Sequence, residues 1–213
     1  MMSIPKFTLF EHRLEEKYTA IVQELPEMIK ALRLSNSLED GNLNKIKKDI
    51  FDDLSGQWGF SDFEVKVPDI SVQNQEYEFE KSVAGDIMGE NSIASLRSVT
   101  DYIKLYYAIY TVPYTGTINA LKYTTIYPKE EVYLTDHSGY FSLTVYSVKP
   151  IKESAEEIKH AKDRVLDLLK KNQEANKAYI KSKDDALKDA IDKEIDFHFK
   201  SGRDEINDNN LLL

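Results

Sequence analysis

The chain has 213 residues, 41% hydrophobic, 11% aromatic and 31% charged, enough for one large or two small domains with a core of their own. It has no cysteine, which excludes disulfides, thiolate metal sites and cysteine nucleophiles and fits a reducing cytoplasm. A net charge of −9 without any basic segment argues against a nucleic-acid partner, whose affinity draws on Lys and Arg against phosphates.

At the N-terminus, "FTLF" after Lys6 is too short for a signal-peptide core. No stretch reaches the roughly 18 apolar residues of a membrane span. A soluble cytoplasmic protein without a membrane partner is expected. Leu14, Tyr18, Ile21, Val22, Leu25, Met28, Ile29 and Leu32 recur every three to four residues, the signature of a helix face. Pro26 falls inside this pattern and predicts a kink or a restart. After the turn residues of "SNSLEDGN", the positions Leu43, Ile46, Ile50 and Leu54 predict a second helix, with Gly56 as its C-terminal cap.

From Phe60 the period changes to two. "DFEVKV" and "EYEFEKSV" alternate apolar with charged residues, as half-buried strands do. "AGDIMGENSIASLRS" reads as a loop with at most one helical turn. "YIKLYYAIYTV" is apolar on both faces, which suits a central strand, and Pro113 is expected to end it. "EVYL" and "GYFSLTVYSV" flank "TDHSG", a hairpin turn. In "TVPYTGTINALKYTTIYP", Gly116 permits a turn, while Leu121 and Tyr123 are expected to pack the connection back onto the sheet.

Beyond Pro150 there is neither Gly nor Pro through Lys200, and charges are dense. Apolar positions at Ile158, Ala161, Val165, Leu168, Leu169, Leu187, Ile191, Ile195 and Phe199 predict helix. Between Lys170 and Asp185 the stripe thins to Ala175, Tyr179 and Ile180, which predicts a break and hence two helices; a continuous stalk is the alternative. The expected fold class is α+β: N-terminal helices over 1–58, a mainly antiparallel sheet of about five strands over 59–150, and a C-terminal pair of charged helices over 151–213. The three terminal leucines suggest a natural protein that continues past Leu213 into a further domain.

Chemistry-bearing patterns are sparse. His12 with Glu16, His160 with Glu156 and His198 with Glu194 share helix faces at i,i+4, but a metal site needs three or four converging ligands. Asp49, Asp52 and Asp53, and again Asp185, Asp189 and Asp192, are interleaved with lysines, as on solvated ion-paired faces. Asp136, His137 and Ser138 are sequence neighbours and cannot meet as a triad. No phosphate loop or Gly-x-Ser-x-Gly elbow is present. No catalytic, cofactor-binding or metal-ligating residue is therefore assigned. Trp58, between two glycines, reads as a plug where helices meet sheet, with an interface anchor as the alternative. Tyr114, Tyr127 and Trp58 are the candidate partner contacts.

The segment "TVPYTGTINALKYTTIYPKEEV", a strand, and "ESAEEIKHAKDRVLDLLKKNQEANKAYI" together resemble a layout in larger bacterial proteins, many of them unassigned. Pro113, Tyr114, Thr115, Gly116, Leu121, Tyr123 and Asn176 carry the resemblance, which covers about residues 102–205; the proline after the tyrosine step is displaced to Pro128. It implies a sensing or scaffold region ahead of a variable effector domain, nuclease-like or TIR-like, in phage-defence proteins. The expected function is thus a non-catalytic scaffold, assembly or partner-sensing module, with a protein partner or self-association. The alternative is a metal-dependent hydrolase or nuclease whose carboxylates converge only in the fold.

Overall fold

The computed structural model describes residues 6–34, 42–57, 63–66, 72–94 and 101–211, with side chains described no further than His198. In chain order the elements are β1 (Phe7–Leu9), β2 (His12–Arg13), α1 (Leu14–Leu34), α2 (Leu43–Gln57), β3 (Glu64–Val65), β4 (Val72–Glu80), α3 (Lys81–Met88) and α4 (Glu90–Ala94). Then come β5 (Tyr102–Thr115), a 3-10 turn (Ile118–Lys122), β6 (Tyr123–Thr124), β7 (Glu130–His137), β8 (Tyr140–Ser147) and α5 (Ile151–Leu211).

The α+β class is as expected. Six strands form the main sheet in the order β1-β7-β8-β5, with β3 and β4 sharing the far edge of β5, and every pairing is antiparallel. A separate two-residue parallel pair joins β2 to β6. β1 was not anticipated, because three residues are too few to show a period.

The helix face read from the sequence of α1 is the buried one: Leu14, Ile21, Leu25 and Ile29 are core residues, with Tyr18, Val22, Met28 and Leu32 packed beside them. Pro26 causes no restart. α1 runs through it, with the ring on the solvent side. In α2, Ile50 and Leu54 are buried as expected, but Gly56 lies inside the helix rather than capping it.

The second strand ends earlier than its alternation suggested. Lys81 opens α3, and its N–H bonds to the Asp101 carbonyl at 2.9 Å. Val83, Ala84, Ile87 and Met88 have helical spacing, and they pack with Ile93 onto Phe79, Ile103 and Leu105 in a small second core. The stretch expected to be a loop therefore holds two short helices.

β5 explains its own two-faced composition. Ile103 and Leu105 point to one side of the sheet, into the small core; Ala108, Tyr110 and Val112 have opposite parity and enter the main core. Pro113 does not end this strand, which continues to Thr115. In an antiparallel ladder a residue's N–H and C=O point to the same side, and the Pro113 carbonyl accepts from Lys66 N–H at 3.0 Å. The missing donor thus faces the two-residue strand β3, and no bond to β8 is lost. Gly116 has φ 80 and Gly139 has φ 86, the left-handed values that glycine accepts in turns. Phe10 also has positive φ (58), unusual for a bulky residue; its N–H bonds to the Leu121 carbonyl at 3.0 Å and its side chain is 3% exposed, which hold it there.

The expected break in the C-terminal helix is absent. α5 is one helix of 61 residues. Where the apolar stripe thins, Asn172 and Asn176 continue the same buried face and both donate to the Tyr123 carbonyl at 2.9 Å. The polar residues that suggested a break anchor the helix to β6. Before this point α5 buries Ile158, Val165 and Leu169 against the sheet; after it, Leu187, Ile191 and Ile195 join the core with α1 and α2. One main core thus takes residues from the N-terminal helices, the sheet and α5.

Candidate interaction surface

Tyr114 lies on the β5 face that carries the main core. Its ring packs on Phe63 and Phe141, at centroid distances of 5.8 and 6.2 Å, and its hydroxyl donates to Asp136 Oδ1 at 2.7 Å. Burial, reinforced by this carboxylate, raises the phenol above its usual value. Tyr127 stacks obliquely on Phe10 at 5.3 Å, and its N–H bonds to Thr124 Oγ1 at 2.9 Å. Thr124 is fully buried and also accepts from Ile126 N–H, so this hydroxyl closes the turn that the sequence marks with "TTIYP". Both tyrosines are half-buried and pack against the main core. Trp58 lies outside the described residues. Leu121 is 2% exposed and Tyr123 is packed against the core, so the connection folds back onto the sheet as expected.

On the opposite face, Tyr107, Tyr133 and Tyr146 cluster, with Tyr146 5.3 Å from Tyr107 and 5.1 Å from Tyr133. Tyr107 donates to Gln75 Oε1 at 2.7 Å and Tyr133 to the Asp86 carbonyl at 3.2 Å. Tyr146 is held well above the ordinary phenol value, first by burial and then by its two tyrosine neighbours. These rings bind α3 to the sheet.

Several of the titratable side chains form close polar contacts. His198 Nε2 meets Glu194 at 3.3 Å, whereas His12 lies 3.7 Å from Glu11 rather than beside Glu16. Lys47 Nζ bridges Asp192 at 2.9 Å and Asp196 at 3.6 Å, and these carboxylates raise its pKa, the Asp192 hydrogen bond most of all. Asp185 pairs with Lys188. Among the described residues no three His, Asp or Glu side chains are placed to hold a metal ion. His137 does meet a serine, but it is Ser142, with Oγ 3.1 Å from Nε2 across the hairpin. Asp136, which a triad would need on the imidazole, lies on the main-core face, opposite His137, and accepts from Tyr114 instead.

What is open to solvent lies elsewhere. Tyr77 is 50% exposed on β4, beside the exposed carboxylates of Glu76, Glu78 and Glu80. Among the described strands β4 pairs only with β5. Phe197 is 64% exposed on α5, just past Ile195, the last described core residue, and the helix continues to Leu211. The sequence signal for Phe197 is its place outside the 187–191–195 spacing; for Tyr77 there is none, since it shares its alternation with the buried Phe79.

The chain has an α+β fold, and none of its described helices is long and apolar enough to cross a membrane. Comparison with family models, with characterised proteins and with solved structures yields no match.

Proposed function

We propose that this chain is a non-catalytic assembly or partner-sensing module whose working element is α5. The observation that supports this reading is the continuity of α5. The helix is seated in the sheet layer and in the helical layer, then runs from Ile195 to Leu211, about 24 Å at 1.5 Å per residue. A helix that runs on past its last described core residue can offer that stretch to a partner surface or a second copy, which would stabilise it. Phe197, exposed at its base, is an apolar anchor of the kind that interfaces bury. The bacterial layout that the sequence resembles would put an effector domain after this helix, in a defence setting.

The test is the solution mass of the full chain against a version truncated after Asp196, at matched micromolar concentrations. The full chain is expected to self-associate and the truncated one to be monomeric. A full chain that stays monomeric, like the truncated one, overturns the assembly reading. Phe197→Ser separates the anchor from the rest of the helix end and should weaken association with little change in melting temperature, because the side chain is 64% exposed and lies outside the core.

A further inference from the structure

The middle of α5 holds a polar site independent of the reading above. Asn172 and Asn176 are only 2% and 4% exposed. Each donates from Nδ2 to the Tyr123 carbonyl. A carbonyl oxygen can only accept, so this contact decides which end of each carboxamide faces Tyr123. Both Oδ1 atoms therefore point away from it, and both are buried without a donor among the described residues. The two asparagines line a narrow crevice of about 10 Å³ together with Phe63, Leu121, Leu169 and Gln173, with Lys177 at its side. Gln173 is already committed, donating from Nε2 to the Phe63 carbonyl at 2.8 Å.

We propose that this crevice is a binding site for one water-sized hydrogen-bond donor, a resident water held by the Oδ1 atoms of Asn172 and Asn176. A buried amide oxygen left without a donor bears its full desolvation cost, and two such atoms on side chains that line one crevice call for a shared remedy. The volume admits one water and little more, since a site needs about 10–15 Å³ to hold one. Two neutral acceptors with an ammonium nearby suit a neutral donor better than a cation. The water completes the attachment of α5 at the turn where it leaves the sheet and enters the helical layer, and so helps to set the register of both halves of the helix.

A crystal structure of the full chain at a resolution that shows ordered solvent tests this directly. A water within hydrogen-bond distance of both Oδ1 atoms is expected; a dry crevice, or Oδ1 atoms bonded by protein donors, overturns the proposal. Stability supplies the second arm. Asn172→Leu removes one acceptor, displaces the water and also loses the Nδ2 bond to the Tyr123 carbonyl, and should lower Tm by about 2–4 °C or more. A rise in Tm would mean that the oxygen had been an unrelieved cost, and overturns it. Lys177→Met should leave Tm unchanged; a fall matching that of Asn172→Leu would make the lysine the donor and also overturns it. Should Asn172→Leu fail to fold, the wild-type solvent structure decides.

Discussion

Ala178→Pro asks whether α5 is one helix. Ala178 lies in the polar stretch between Lys170 and Asp185, inside α5, with its side chain in solvent. Substitution there loses no packing, so the effect is confined to the backbone. In a continuous helix the proline removes the N–H that bonds to the Glu174 carbonyl and pushes its ring against that carbonyl, at a cost of about 3 kcal/mol or more. Ala178→Gly, which keeps the donor, should cost about 1 kcal/mol. For a protein of this size about 2–4 °C of Tm accompanies each kcal/mol, so the proline should lower Tm by about 6–12 °C. Urea unfolding followed by far-UV circular dichroism gives the free energies, and a thermal melt checks them. If the stretch were instead a connection between two helices, the proline would be neutral or stabilising by about 0.4–1 kcal/mol. A proline variant within about 0.5 kcal/mol of wild type would refute the single helix.

The remaining predictions address the core, two glycines and one tyrosine. Phe141→Ala removes the largest fully buried side chain of the sheet and should destabilise by about 3–5 kcal/mol in urea titration. Gly139→Ala meets no atom within 4 Å but must hold φ 86, so it should cost about 1 kcal/mol through the backbone alone. Gly56→Ala also meets no atom, and inside α2 it should stabilise by about 0.5 kcal/mol; opposite signs for this pair in one melting series check both assignments. Tyr146, raised by burial, stays protonated in the folded state after the unfolded chain begins to ionise near pH 10. The stability tied to that proton is fully present below about pH 10 and is lost as pH rises further, so Tyr146→Phe should flatten the alkaline limb of the stability–pH curve. Parallel curves for wild type and variant above about pH 10 would contradict this.

Of the candidate surface, little was legible. Tyr114 and Tyr127 stood out in sequence because tyrosines crowd a turn, yet their rings rest on Phe63, Phe141 and Phe10, partners tens of positions away or more in a folded arrangement that no local pattern encodes. Tyr77 and Phe79 share one strand face and one alternation, but only Phe79 lies under α3. Coverage by another element, not the residue's own pattern, decides which aromatic is exposed.

By itself the sequence determined the apolar faces of α1 and α2, the strand alternation, the hairpin at Gly139 and the helical character of residues 151–200, because each rests on contacts within a few residues or on a period that one buried face imposes. Tertiary structure alone decided the rest. Pro113 stays in its strand because its missing donor faces the short β3 rather than β8. The two-faced β5 serves two cores on opposite sides of the sheet. Asn172 and Asn176 continue a helix that their polarity seemed to interrupt, because the carbonyl of Tyr123, far away in sequence, is placed to receive both amides. A buried polar residue has no meaning until its partner is in position, and that partner comes from another part of the chain.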